Sequence, residues 1–162
     1  MSVTSDISSL RQVPLLSRFN DEELRVLAFG CEAMTASRGK QLFAIGEKAD
    51  HALVITAGRV KLETGEGNRT RIHGPYGPGT LLGESALLSE GVRTSKAVAL
   101  GRCDLILIRR TAFLKMLEEF PHAAKEIFRE RANKFQQTSV ELARIGRRLQ
   151  YIDNLSRENF RK

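Results

Sequence analysis

Between Gln41 and Ile108 the chain is cut into short β-type runs by turn residues, and this punctuation restricts the fold more than any other feature. The breaks fall at Gly46, Ala57-Gly58, the stretch Thr64-Gly65-Glu66-Gly67-Asn68, the stretch Gly74-Pro75-Tyr76-Gly77-Pro78-Gly79, Gly91 and Gly101. Runs this short between glycine- and proline-rich breaks suit strands that reverse direction, as in a small antiparallel sandwich or barrel. Gly65–Asn68 is the clearest hairpin loop, and Ser85–Leu88 is a place where a short helix interrupts the strands.

Outside this region the apolar period lengthens. Pro14 to Met34 reads as helical, with Asn20 as cap, Asp21, Glu22 and Glu23 in the first turn, Leu24, Leu27 and Ala28 on one face, and an end near Gly30. Residues 1–13 are polar with little periodicity and are expected to form a loose lead-in. After Thr111 the helical pattern returns, and Pro121 starts a new segment. Phe128, Phe135, Leu142 and Leu149 recur every seven positions, with Ile145 and Ile152 three residues after Leu142 and Leu149, a heptad stripe that predicts a long helix pairing with a second copy. Packing of that helix on its own barrel is the alternative. The expected organisation is a lead-in over 1–13, a β-rich domain with flanking helices over 14–120, and a C-terminal dimerisation helix over 121–162.

Composition narrows the class. With 162 residues, 41% hydrophobic and 28% charged, the chain has the balance of a soluble globular protein with a sizeable core. No stretch approaches the roughly 20 apolar residues of a membrane span, and Met1 to Leu16 lacks the pattern of an export signal, so a cytoplasmic location is expected. Cys31 and Cys103 lie in apolar contexts that suit buried thiols rather than a disulfide or a metal site. The net charge is +7; residues 1–120 hold 16 Lys and Arg against 14 Asp and Glu, and residues 121–162 hold 10 against 5. The excess sits in the tail, where it serves either an acidic partner or a solvated helix face. His51, His73 and His122 are scattered without metal-ligand spacing, no nucleophile motif occurs, and no catalysis is expected.

The chemistry concentrates in Gly79-Thr80-Leu81-Leu82-Gly83-Glu84-Ser85-Ala86-Leu87-Leu88 and the following Arg93-Thr94-Ser95. A glycine ahead of a short apolar turn lets backbone N–H groups converge on an anion, because a helix start leaves donors unpaired and carries partial positive charge. Arg93 adds a full charge and a planar fork of donors. Glu84 is unsuited to phosphate and suited to a sugar hydroxyl, so the set describes a ribose phosphate. Each residue also has a plainer use: Arg93 as a surface charge, Glu84 as a cap or salt-bridge partner, the leucines as core.

The run Gly83-Glu84-Ser85-Ala86-Leu87-Leu88 with Arg93-Thr94-Ser95 resembles the phosphate-binding cassette of cyclic-nucleotide-binding domains, found in catabolite-activator-type bacterial regulators, cyclic-nucleotide-dependent kinases and gated channels. Arg38 to Glu47 and Leu53 to Val60 resemble that family's first strands, and Cys103 to Ile108 through Phe113, Leu117 and Pro121 its last strand and following helix; roughly residues 14–135 are covered. The resemblance implies an α+β fold, a jelly-roll-like antiparallel β-roll of about eight strands, with a helix before it and two after. It implies a cyclic nucleotide as regulatory ligand, cAMP ahead of cGMP. Gly83 would allow close backbone approach, Glu84 would meet the ribose 2′-hydroxyl, and Ser85 and Ala86 would offer backbone N–H groups. Arg93 would bind the cyclic phosphate, helped by the hydroxyl of Thr94 or Ser95. Thr94 also keeps a guanine base open.

The resemblance further implies a homodimer through the C-terminal helix and coupling of that helix to occupancy; an unidentified protein partner recruited by the helix is a separate expectation. Ser85, Ser95 and Lys96 depart from the family pattern, and an inward Lys96 would change the charge of the pocket. A helix-turn-helix does not fit in the ten residues after Ile152, so direct DNA contact is not expected. The alternatives are a ligand-independent interaction module and a sensor fragment of a transcription regulator.

Overall fold

The glycine breaks are strand reversals. In the computed structural model, which describes residues 3–134 together with 136, 137, 139 and 143, two helices lead into the strands: α1 (Val3–Arg11) and α2 (Asp21–Phe29). Strands β1 (Cys31–Ala36), β2 (Gln41–Phe43), β3 (His51–Ala57), β4 (Val60–Thr64), β5 (Arg71–Tyr76) and β6 (Leu81–Leu82) follow. The short helix α3 (Ser85–Leu88) interrupts them before β7 (Lys96–Ala99), β8 (Cys103–Arg109) and α4 (Arg110–Glu119). The eight strands form two four-stranded antiparallel sheets, ordered β1-β8-β3-β6 and β2-β7-β4-β5. This is the α+β antiparallel β-roll with flanking helices expected from the sequence.

Between the sheets lie Phe43, Leu53, Ile55, Val60, Leu82, Ala97, Ala99, Cys103 and Leu105. Alternation sends Ala52, Val54, Ile106 and Ile108 to the opposite face of the first sheet, and they are buried as well. That face is covered by α1, α3 and α4, which is why β3 and β8 read as nearly continuous apolar runs rather than alternating ones.

The N-terminal region differs from expectation in two ways. The 1–13 lead-in contains helix α1, whose Leu10 is fully buried, and Val13, Leu16 and Phe19 are buried after it. Four apolar side chains spaced three apart carry this packing, but only Leu10 of them lies within α1 and the other three fall in the turns after it, so they do not form a stripe on the helix itself. The helix read over Pro14 to Met34 is confined to Asp21–Phe29, and Cys31–Ala36 is strand β1. Its start is as expected: the Asn20 side chain accepts from the Glu23 backbone N–H at 3.0 Å, and the Glu23 carboxylate accepts from the Asn20 N–H at 2.8 Å, a reciprocal capping box. Its end at Gly30 is also as expected. Beyond it, β1 pairs with β8 from Cys31–Ile108 to Ala36–Cys103, so long-range pairing overrides local helix preference there.

The chain divides into two compact units, Met1–Pro121 and His122–Lys162. In the second, residues 122–134 are helical and Phe128 is exposed. The later heptad positions Phe135, Leu142, Ile145, Leu149 and Ile152, and the basic residues from Arg144 onward, lie outside the described residues.

Candidate functional site

The apolar pair Leu81-Leu82 docks β6 on β3 with Leu82 opposite Leu53. The chain then leaves the sheet at Gly83, whose φ of +77° is open to glycine and strained for other residues. Residues Ser85–Leu88 wind into α3, anchored by buried Ala86 and Leu87. The return runs antiparallel to the loop between β2 and β3. The Ala49 N–H donates to Gly91 O at 2.9 Å, the Arg93 N–H to Glu47 O at 2.7 Å, and the Gly46 N–H to Arg93 O at 2.8 Å. This clasp fixes the Arg93 backbone on both sides.

The Arg93 side chain turns inward, leaving the residue 5% exposed. Its Nη2 donates to the His51 carbonyl at 2.6 Å. Its Cζ stands 4.1 Å from the centroid of the Phe43 ring, a cation–π contact in a poorly solvated place. A Cβ added at Gly83 would lie 2.3 Å from Arg93 Nη1, so the bare glycine backbone is one wall of the guanidinium site. Arg93 Nε is buried with no hydrogen-bond partner among the described residues. Burial pushes the Arg93 pKa below the usual arginine value, while the charges of Glu47 and Asp50 pull it back. A buried guanidinium with an unused donor, walled by glycine, fits an anionic group arriving from the α3 side.

The structure thus brings Gly83 and Arg93 together. Glu84 is half-buried at the start of α3 and makes no capping bond with its side chain, while Ser85 is exposed. The Ala86 N–H donates to Gly83 O at 3.0 Å within the turn. Thr94 is exposed and Ser95 half-buried. Lys96 lies opposite Glu63 and alternates with Ala97, which faces the core, so the lysine is on the outer face of its sheet. There Lys96 Nζ pairs with Glu63 Oε2 at 2.5 Å, and Lys61 with the other oxygen at 2.7 Å. The lysine therefore leaves the interior of the roll unchanged.

Sequence reasoning missed what supports Arg93: the Phe43 ring, the His51 carbonyl and the backbone of Gly46 and Glu47. A carbonyl carries no residue-type signal. Phe43 had one, an aromatic ahead of a glycine turn, but nothing in its spacing ties it to position 93. Among the described residues no group of three or more His, Cys, Asp and Glu side chains is placed to hold a metal ion. No helix among them is long and apolar enough to cross a membrane.

A β-roll carrying a buried arginine behind a glycine-led turn defines a cyclic nucleotide-binding domain, and the chain belongs to that family, whose model matches residues 34–120. A cyclic nucleotide-binding-like protein from Brucella abortus is 38% identical, with 70% of this chain and 98% of that one covered at a TM-score of 0.63. The N-terminal domain of a transcriptional regulator from Streptomyces coelicolor is 30% identical, with 83% and 94% covered and a TM-score of 0.75. The Cyclic AMP receptor protein of Thermus thermophilus is 28% identical over 130 residues, which is 80% of this chain and 60% of that protein. The chain thus spans about three fifths of that curated relative's length.

Proposed function

We propose that the chain is a regulatory sensor that binds a cyclic purine mononucleotide at Gly83–Ser95, cAMP ahead of cGMP, and converts occupancy into a change of its C-terminal helix. The observation that carries this reading is the Arg93 guanidinium, buried, clasped through its backbone and retaining an unused donor. In this reading Arg93 and the amides at the start of α3 neutralise the cyclic phosphate. The Glu84 carboxylate accepts from the ribose 2′-hydroxyl, and Thr94 and Ser95 supply hydroxyls. The turn bond from the Ala86 N–H to Gly83 O opens or is shared as the phosphate docks. Nucleotide shifts the protein only through unequal affinity for its two states. The likeness to a cyclic AMP receptor protein favours adenine; the exposed Thr94 leaves guanine accessible. Homodimerisation through the heptad stripe, a further protein partner and a cytoplasmic location belong to the same proposal.

The test is a thermal-shift and calorimetric titration with cAMP and cGMP. Ligand at 100 times its Kd adds about 2.7 kcal/mol of stability. Arg93→Ala is expected to lose about 2–5 kcal/mol of binding free energy, the cost of truncating a buried charged contact. No stabilisation by either nucleotide, with oligomerisation intact, would favour a ligand-independent interaction module.

A further inference from the structure

We propose that Arg110 is a positioning residue for the nucleotide site, fastening the end of α3 and the β2–β3 loop to the first turn of α4 so that the cassette and α4 change setting together. The two arginines at the β8–α4 junction are adjacent in sequence and differ in use. Arg109 reaches outward to Glu32, Nε to Oε1 at 2.7 Å, with both side chains about half exposed at 49% and 55%. Arg110 turns inward, and its side chain is 13% exposed. Its Nη1 donates to Ser89 O at 2.9 Å and to Ala49 O at 3.3 Å. Its backbone N–H donates to Asp50 O at 2.8 Å. Nη2 also stands 3.5 Å from Glu90 Oε1, a carboxylate whose side chain is 88% exposed and which adds little through solvent.

Three segments therefore meet on one side chain. Ser89 caps the C-terminal end of α3, where carbonyls lack partners within the helix and a cation is favoured. Ala49 and Asp50 belong to the loop whose Gly46 and Glu47 clasp the Arg93 backbone. The third segment is α4 itself. Arg110 is thus one step from Arg93 along both strands of the clasp, and any rearrangement of α3 on anion binding pulls on it. Both carbonyls accept from the two hydrogens of one nitrogen, Nη1, whose directions the planar guanidinium fixes, whereas a lysine ammonium sits on a flexible stem with rotatable donors.

The ligand in this inference rests on the nucleotide reading above, whereas the strap rests on geometry alone. The test compares the full chain with Arg110→Met, Arg110→Lys and Arg109→Met. Affinity for cAMP and cGMP is read by calorimetry, and amide exchange is followed with and without nucleotide. Arg110→Met is expected to weaken nucleotide binding about tenfold, about 1.4 kcal/mol, and to abolish the nucleotide-dependent change in α4 exchange while that of Gly83–Leu87 persists. Arg110→Lys recovers part of both, and Arg109→Met behaves as the parent protein.

In the nucleotide-free protein, exchange of the Ala49 and Arg110 amides accelerates in Arg110→Met while β8 and α2 amides do not change. An Arg110→Met protein with parental affinity and a parental α4 response overturns the proposal, as does uniform acceleration across the domain. If the parent protein binds neither nucleotide, the functional reading fails by itself. The strap is then decided by the nucleotide-free pattern: local acceleration supports it, and none or uniform acceleration overturns it.

Discussion

Alanine at position 83 separates two costs that coincide at this glycine. At φ +77° an alanine loses about 1–2 kcal/mol to backbone strain. Its Cβ would also fall 2.3 Å from Arg93 Nη1. The end of a long side chain ordinarily moves aside at little cost. This one is held by the 2.6 Å bond to His51 O and by the Phe43 ring. A hydrogen bond from a charged group contributes about 1.5–3 kcal/mol, and a desolvated cation–π contact about 2 kcal/mol. Displacing the guanidinium forfeits part of both, so Gly83→Ala should lose about 3–5 kcal/mol in all.

Gly39→Ala is the matched control. Gly39 has φ +80° and nothing within 4 Å of an added Cβ, so it reports the backbone strain alone. Urea unfolding of both variants gives the difference assigned to Arg93, and calorimetry with cAMP shows whether the displaced guanidinium still meets the phosphate. Equal destabilisation of the two variants, with parental nucleotide affinity in Gly83→Ala, would refute the role of Gly83 as a wall of the Arg93 seat.

Other outcomes follow from the charges and thiols. Lys96→Ser should leave nucleotide affinity within about twofold in a titration, because the ammonium pairs with Glu63 outside the roll and a surface pair contributes about 1 kcal/mol or less. Glu63 is held below the usual carboxylate pKa by hydrogen bonds from Lys61 and Lys96, and Asp50 by one from His51. These depressed values contribute stability that is complete above the unfolded pKa of about 4 and is lost as pH falls through the folded values. Urea midpoints should therefore hold steady from neutral pH downward and drop only on the acid side, with a shallower drop in Glu63→Gln. Burial, with Asp6 and Glu32 adding, pushes the Cys31 thiol up to about 12, so alkylation at pH 8 should stay slow until denaturant unfolds the chain; prompt labelling of the native protein would contradict that burial.

The strand region was legible because its signal is local. Glycines at positive φ mark the corners, as at Gly46, Gly58 and Gly65, and short apolar runs lie between them. The cap at Asn20 and the helix at Ser85–Leu88 were legible for the same reason. Strand β1 was not, since Cys31 to Ala36 become a strand only through β8, far along the chain. Nor was α1, since of the four buried residues Leu10, Val13, Leu16 and Phe19 only the first belongs to the helix and the rest lie in the turns that follow it. At the site, sequence order shows Gly83 and Arg93 but not the parts that set the arginine's direction, because those are main-chain groups of residues 46–51 and one ring at position 43. The outward setting of Lys96 follows from its register with Glu63, which is a property of the folded sheet.

The dry seat of Arg93 has a consequence for selectivity among related metabolites. If Arg93 meets the phosphate as proposed, a buried guanidinium whose charge Glu47 and Asp50 already partly balance is matched by a phosphodiester, which brings one negative charge. A ring-opened monophosphate brings a second, and burying that surplus unneutralised costs several kcal/mol, on the order of a thousandfold in affinity. On the proposed reading, the seat would tell a closed ring from its hydrolysis product by charge, before any contact with the base.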